Sequence, residues 1–62
     1  MHPKTKILIV EDEEAMRVSM SVLLQSSGYE VDEASDGDEG LQKAQKLPDL
    51  IVSNIDMPRM TG

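Results

Sequence analysis

Oxygen-bearing side chains follow two short apolar runs directly, and their types and positions are those that cation chemistry needs. Four consecutive acids at positions 11–14 follow the run Ile7–Val10, and Asn54 and Asp56 follow the run Leu50–Val52. Mg²⁺ binds carboxylate and amide oxygens and often takes only one or two carboxylates from a protein. The two groups therefore form a candidate divalent-cation site if the fold brings them together.

The four acids also have a structural interpretation as the start of a helix. Asp12 would be the N-cap residue that accepts a backbone N–H, and Glu13 and Glu14 would lie in the first turn, near the positive end of the helix dipole. Spacing alone favours this helix start over the cation site. The cation site remains the alternative at this point.

The elements that position these side chains follow from the apolar pattern. Ile7–Val10 and Leu50–Val52 are short runs with β-branched residues, which predicts two strands, and the second is of the type buried on both faces of a parallel sheet. Residues 13–27 predict an amphipathic helix that ends at Gly28, a typical left-handed cap, with Val18 exposed. The predicted buried stripe consists of Met16, Met20, Leu23, Leu24 and Ser27.

A weaker strand and a second helix precede the second apolar run. Polar residues interleave the strand at 29–34, which is typical of a sheet edge. After a turn with capping residues at 35–37, a helix opens at Asp38 and ends before Pro48. Gly40 should cost this helix about 1 kcal/mol relative to alanine. The predicted apolar stripe of this second helix is thin and consists of Gly40 or Leu41 together with Ala44 and Leu47.

The order strand, helix, strand, helix, strand predicts an α/β fold with a parallel sheet. Right-handed crossovers place the strands in the order 2-1-3, so the first and third strands are neighbours. Their carboxyl ends then bring Glu11, Asp12, Asn54 and the backbone near Asp56 into one pocket. In open α/β sheets, ligands bind in the crevice at this end of the strands.

Composition limits the chain to one small, acidic domain. A chain of 62 residues buries only about 60% of its unfolded surface, so marginal stability is expected. Twelve Asp and Glu against six Lys and Arg give a net charge of −6, which argues against direct nucleic-acid binding. The sequence has no cysteine for a disulfide, and its first apolar run is too short for a signal or membrane segment. We therefore expect a cytoplasmic protein.

Residues 48–62 closely resemble the third strand and following loop of the receiver domain of two-component response regulators. The acidic pair Glu11-Asp12 falls on the metal site of that family. The likeness in the loop runs through Met57, Pro58, Met60 and Gly62.

One position differs from the family pattern. In receiver domains the third strand ends in an aspartate that accepts a phosphoryl group from a sensor histidine kinase, and the matching residue here is Asn54. An amide has no anionic oxygen with which to attack phosphorus. The resemblance therefore implies a phosphorylation-incompetent member of a phosphorelay family, and not an enzyme.

The resemblance also assigns the ligands of a magnesium ion. Asp12, Asn54 and the backbone carbonyl of Asp56 would ligate Mg²⁺, while Glu11 would act mainly through bound water. Because Asn54 lacks the negative charge of an aspartate, we expect weak Mg²⁺ binding.

Partners and domain extent follow from the same resemblance. A sensor histidine kinase or phosphotransfer domain would contact the exposed face of the first helix, with Glu14, Arg17 and Val18 as candidate contacts. Residues 1–62 would be a truncated receiver domain, the N-terminal β-α-β-α-β half of a flavodoxin-like doubly wound sheet. A half domain should expose the outer edge of its third strand, so we expect a homodimer.

Two other functions remain open on sequence grounds. Asn54-Ile55-Asp56 could be an altered Asp-x-Asp phosphohydrolase motif, in which the first aspartate is the nucleophile and the second protonates the leaving group. Alternatively, the chain could be a purely structural assembly fragment whose acids only cap helices. Indifference to millimolar Mg²⁺ would favour the structural interpretation.

Overall fold

The computed structural model describes residues 4–54, which form a parallel α/β arrangement. The strands of this part of the chain are parallel in the order β2-β1-β3, which confirms the predicted order. Most bounds agree with the sequence prediction within one residue, but the second helix ends earlier than predicted. In chain order the elements are β1 (Lys6–Val10), α1 (Glu14–Ser26), β2 (Glu30–Ala34), α2 (Gly37–Ala44) and β3 (Leu50–Ser53).

The central strand β1 forms the core of the sheet. Its four residues Ile7–Val10 are each at most 5% exposed, because β2 and β3 flank its two edges and both helices contact it. The chain crosses from β1 to β2 through α1 and then back past β1 to β3 through α2. Right-handed crossovers in opposite directions place the two helices on opposite faces of the sheet. The direction of crossover therefore reverses at β1, and ligands bind at such a point in α/β sheets.

The close packing of α2 on β1 depends on a glycine. Leu8, Val10 and Ala34 form the buried cluster on this face, and Ala44 of α2 packs against it. A Cβ atom on Gly40 would lie 3.0 and 3.2 Å from the two methyl carbons of Val10. Gly40 therefore lets the helix approach the strand, which explains why a poor helix former occupies this buried position.

The buried face of α1 differs from the predicted one. Met16 and Leu23 are 42% and 67% exposed, so their assignment to the buried stripe is wrong, whereas the predicted exposure of Val18 is confirmed. The buried face of the helix is shifted towards Arg17, whose side chain hydrogen-bonds Glu33 of β2. The positions that are buried or half-buried are Arg17, Met20, Ser21 and Leu24.

β3 is exposed in the described part of the chain, contrary to the prediction of burial on both faces. Leu50 and Ile51 are 53% and 47% exposed, because among residues 4–54 only β1 pairs with this strand. Within residues 4–54, β3 is an edge strand of the sheet.

The apolar stripe predicted for α2 is only partly confirmed. Gly40 is buried and Ala44 packs on the core, but Leu41 is 70% exposed and Leu47 is 83% exposed. Leu47 lies beyond the helix, which ends at Ala44, and its backbone has a positive φ of 59°. Neither helix of the described region has the length and apolar character that crossing a membrane requires.

Candidate functional site

The carboxyl ends of β1 and β3 bring Glu11 and Asn54 side by side. Val10 pairs with Ser53 in the parallel register, and the Asn54 backbone N–H donates to the Val10 carbonyl at 2.8 Å. On the other side, the Glu11 backbone N–H donates to the Ala34 carbonyl at 3.0 Å. Backbone hydrogen bonds from both neighbouring strands therefore fix the position of the candidate site.

The Glu11 carboxylate is buried and hydrogen-bonded through both oxygens. Its residue is 2% exposed. The Asn54 side-chain Nδ2 donates to Glu11 Oε1 at 2.8 Å, and the Glu13 backbone N–H donates to Glu11 Oε2 at 3.0 Å. These donors compensate for the loss of water around the carboxylate.

The same hydrogen bonds keep Glu11 ionised. The Glu13 backbone N–H is the main cause that lowers the pKa of the Glu11 carboxyl below its ordinary value, and burial of the group opposes this effect. The Asn54 amide and the Arg17 guanidinium lower that pKa further. Because an ionised carboxylate can only accept, the Asn54 amide must present its nitrogen to Glu11.

The start of α1 corrects the predicted role of Asp12. The helix begins at Glu14 with Glu13 at the N-cap position, and within residues 4–54 no side chain caps it there. The prediction that Asp12 is the N-cap residue is therefore wrong, and Asp12 is exposed. Glu11 accepts a backbone N–H of this loop instead, since its buried carboxylate lies beneath the Glu13 amide.

Arg17 lies at the candidate site, whereas the sequence prediction assigned it to the exposed face of the first helix. Its Nη1 donates to the Glu11 backbone carbonyl at 3.0 Å, and its Nε donates to Glu33 Oε1 at 3.3 Å. The Arg17 side chain is only 16% exposed, unlike Glu14 and Val18, with which it was grouped as a candidate partner contact. Only the strand order, which places β2 beside β1, could have indicated that an acid of β2 meets this arginine.

The donor set at the strand ends fits a hard divalent cation in its chemistry. Glu11 and Asp12 supply carboxylates and Asn54 supplies an amide oxygen, and Mg²⁺ accepts such oxygens together with water. Asp12 directly follows Glu11 in the chain, so both carboxylates belong to the carboxyl end of β1. In residues 4–54, no group of three or more His, Cys, Asp or Glu side chains forms a metal cluster. The fourth predicted ligand residue, Asp56, lies outside the described residues.

Among the described residues, the side chain that follows β3 at the site is the neutral amide of Asn54. Glu11 is fixed by hydrogen bonds, and Asn54 is a neutral side chain that donates to it. A carboxylate at that position could attack phosphorus, whereas an amide oxygen lacks the charge to do so. The hydrogen-bonded pair of Glu11 and Asn54 can therefore hold a fixed negative charge at the strand ends.

Comparison with known proteins identifies the family. The family model described as "Response regulator receiver domain" matches residues 7–62. The alkaline phosphatase synthesis transcriptional regulatory protein PhoP of Bacillus subtilis is 47% identical over 58 residues, which cover 92% of this chain and 24% of PhoP. The transcriptional regulatory protein PdtaR of Mycobacterium tuberculosis is 41% identical over 59 residues, which cover 92% of this chain and 29% of PdtaR.

A stretch similar to this chain also occurs in a sensor kinase. The sensor kinase CckA of Brucella abortus is 44% identical over 59 residues, which cover 90% of this chain and 6% of that kinase. This chain thus spans less than a third of the length of each of these relatives. No solved structure gives a significant match. The matching family model and the parallel β2-β1-β3 sheet together show that the chain belongs to the response regulator receiver domain family.

Proposed function

We propose that this chain is a receiver unit of two-component phosphorelay signalling that does not accept a phosphoryl group at the end of β3. The observation that carries the proposal is the Asn54 side chain, which follows β3 and donates its amide to Glu11 Oε1 at 2.8 Å. A neutral donor at this position has no anionic oxygen with which to form an acyl phosphate.

The proposed partner is a sensor histidine kinase or a phosphotransfer domain. A relative named a sensor kinase carries a stretch that matches this chain, which supports the link to such kinases. Glu14 and Val18 on α1 are exposed and available for a partner, in contrast to the mostly buried Arg17. We place this binding in the cytoplasm, as the acidic composition and short apolar runs of the sequence led us to expect.

A residual divalent-cation site is part of the proposal. Asp12, the Asn54 side-chain oxygen and the Asp56 carbonyl would hold Mg²⁺, with Glu11 acting through water. When bound, the ion would neutralise negative charge at the strand ends. Asn54 must turn its oxygen instead of its nitrogen to the ion, so the chain should bind Mg²⁺ more weakly than an Asn54→Asp variant.

Self-association of this chain is a separate part of the proposal. β3 carries no charged residue and half-exposes Leu50 and Ile51, whereas three acids in β2 oppose pairing at the other edge of the described sheet. We therefore take a second copy of this chain, paired through β3, as its partner. A dimer in light scattering after size exclusion is the expected result, and a monomer throughout a concentration series would contradict this part.

The phosphorylation block is tested with a small phosphodonor. The chain and its Asn54→Asp variant are incubated with acetyl phosphate and Mg²⁺, and the intact mass of each is measured. We expect one added phosphoryl group on Asn54→Asp and none on the unaltered chain. A stable added phosphoryl group on the unaltered chain would overturn the proposal, and labelling of neither protein would show that a carboxylate at position 54 is not sufficient for the reaction.

A further inference from the structure

Arg17 makes two contacts that the proposed function does not explain. We propose that Arg17 is a positioning residue for the divalent-cation site: it fixes the peptide group between Glu11 and Asp12, and thereby the direction of the Asp12 carboxylate. This inference rests on the proposed cation site, and it adds a residue that does not itself ligate the ion.

The guanidinium joins three parts of the fold. Arg17 lies one turn into α1, its Nη1 donates to the Glu11 backbone carbonyl at 3.0 Å, and its Nε donates to Glu33 Oε1 in β2 at 3.3 Å. The planar donor fork of arginine can make both bonds at once in a fixed geometry. With 16% of its side chain exposed, Arg17 is held in this position by its surroundings.

The Glu11 carbonyl lies just beyond the end of strand β1, where regular strand pairing ends. The Glu11 N–H still donates to the Ala34 carbonyl at 3.0 Å, but β1 ends one residue earlier, at Val10. A buried carbonyl at such a point needs a donor, and Arg17 supplies it. The backbone N–H and the backbone carbonyl of Glu11 are therefore both hydrogen-bonded. This fixes the backbone from which the next side chain, that of Asp12, extends.

A role of Arg17 through its charge and a role through positioning predict opposite effects of its removal on cation affinity. If the arginine acted only through its positive charge, removing it would make the acidic site more attractive to a cation. If it acts by positioning, removing it lets the Glu11–Asp12 backbone move and weakens cation binding. Loss of outer contacts that orient metal ligands typically costs about 10–100-fold in affinity. The direction of the change therefore separates the two roles.

The experiment is a Mg²⁺ titration of the whole chain and its Arg17→Gln variant. Binding is followed through the backbone amide NMR shifts of residues 11–13 and 54, at a temperature where both proteins give folded spectra. We expect Arg17→Gln to bind Mg²⁺ about tenfold more weakly. Equal or tighter binding by Arg17→Gln would overturn the inference.

Two further variants keep the test valid if Arg17→Gln does not fold. Arg17→Lys keeps the charge but loses the donor fork, so it should also bind Mg²⁺ more weakly than the unaltered chain. Glu33→Gln loosens Arg17 from β2, and Glu14→Gln removes a comparable charge from an exposed position. Glu33→Gln should weaken binding more than Glu14→Gln, and equal effects of these two variants would contradict the positioning role.

The outcomes also separate this inference from the proposed function. If the unaltered chain gives no response to Mg²⁺, the cation site fails, and the role of Arg17 fails with it. If the unaltered chain responds and Arg17→Gln responds equally well, the cation site stands and only the positioning role of Arg17 is overturned.

Discussion

Asn54 and Glu11 lie 43 residues apart in the chain, yet the Asn54 amide nitrogen is 2.8 Å from Glu11 Oε1. This bond joins the ends of β3 and β1 and gives the buried Glu11 carboxylate one of its two hydrogen bonds, the other coming from the Glu13 backbone N–H. The neutral amide therefore stabilises the Glu11 carboxylate without placing a second negative charge beside it. An aspartate at position 54 would instead bring two carboxylates together, which is favourable only if a cation lies between them.

Replacing Asn54 with aspartate should make the stability of the chain depend on Mg²⁺. In EDTA, Asn54→Asp loses the donor to Glu11 and adds a like charge, so its urea midpoint should fall below that of the unaltered chain. Added Mg²⁺ should raise the midpoint of Asn54→Asp more than that of the unaltered chain, because a ligand stabilises the state that binds it. Urea unfolding followed by circular dichroism, with EDTA or Mg²⁺, measures both effects.

Asn54→Ala is the matched control for charge. It removes the same hydrogen bond to Glu11 without adding a carboxylate, so it should be destabilised in EDTA but gain little from Mg²⁺. Equal midpoints for Asn54→Asp and the unaltered chain in EDTA would contradict the importance of the hydrogen bond.

Acid should weaken the start of α2 through Glu39. The Ser35 backbone N–H, the Ser35 hydroxyl and Lys43 lower the pKa of the Glu39 carboxyl from 4.5 to about 2, with the backbone N–H as the largest cause. Because the folded pKa is the lower one, the stabilisation is complete above the unfolded pKa and is lost as pH falls through the folded pKa. Stability should therefore decline between about pH 5 and pH 2.

Glu39→Gln isolates this contribution to the pH dependence. The variant keeps a side chain of similar shape but cannot ionise, so its free energy of unfolding should be lower at neutral pH and should change less between pH 5 and pH 2. Urea unfolding at a series of pH values measures both slopes. An identical slope in the two proteins would show that the Glu39 carboxylate does not contribute.

The sheet order could be predicted from sequence, whereas the rotation of α1 could not. Two short apolar runs and right-handed crossovers were sufficient to place β1 between β2 and β3. The apolar periodicity of α1, in contrast, assigned Met16 and Leu23 to the buried face and ignored Arg17. The Arg17 hydrogen bonds to the Glu11 carbonyl and to Glu33 are polar contacts with residues outside the helix, and helical periodicity carries no information about them.

For the candidate site, as for the fold, the sequence predicted which strand ends meet but not the hydrogen bonds formed there. Adjacent parallel strands end at one edge, so the proximity of Glu11 and Asn54 followed from the strand order. The capping role assigned to Asp12 was wrong because residue type alone does not show which neighbouring carboxylate is buried near the helix start. Glu11 occupies that position because its backbone N–H continues the pairing with β2 beyond the end of β1.

Gly40→Ala should destabilise the chain although alanine is the better helix former. The added Cβ would lie 3.0 and 3.2 Å from the Val10 methyl carbons, and the β-branched Val10 is buried and limited in its rotamers. Overpacking typically costs about 1–3 kcal/mol, which exceeds the gain of about 1 kcal/mol in helix propensity. We expect the free energy of unfolding to fall by about 1 kcal/mol.

Gly37→Ala provides the control in the same helix. An added Cβ at Gly37 meets nothing within 4 Å, so this change should stabilise the chain by about 0.5 kcal/mol through the unfolded state. Thermal and urea unfolding of the two variants measure the difference. If Gly40→Ala were as stable as Gly37→Ala, α2 could not be packed against Val10 as closely as described.

Leu47 should be replaceable by asparagine with a gain in stability. Its φ of 59° is in the left-handed region, which costs most residues about 1–2 kcal/mol but is tolerated better by asparagine. Little burial is lost, because Leu47 is 83% exposed. The hydrogen bond from the Leu47 backbone N–H to the Ala44 carbonyl does not depend on the side chain. We expect Leu47→Asn to raise the free energy of unfolding by about 0.5–1 kcal/mol.

Leu41→Asn tests whether the gain comes from the backbone at Leu47. Leu41 is also largely exposed, at 70%, but it lies within α2 and has a helical backbone. Asparagine is a poorer helix former than leucine by roughly 0.5 kcal/mol, so this second change should lower stability. Urea unfolding of both variants at neutral pH should therefore give shifts of opposite sign. A gain from both would instead assign the effect to removal of an exposed leucine, since only Leu47 has the left-handed backbone that asparagine relieves.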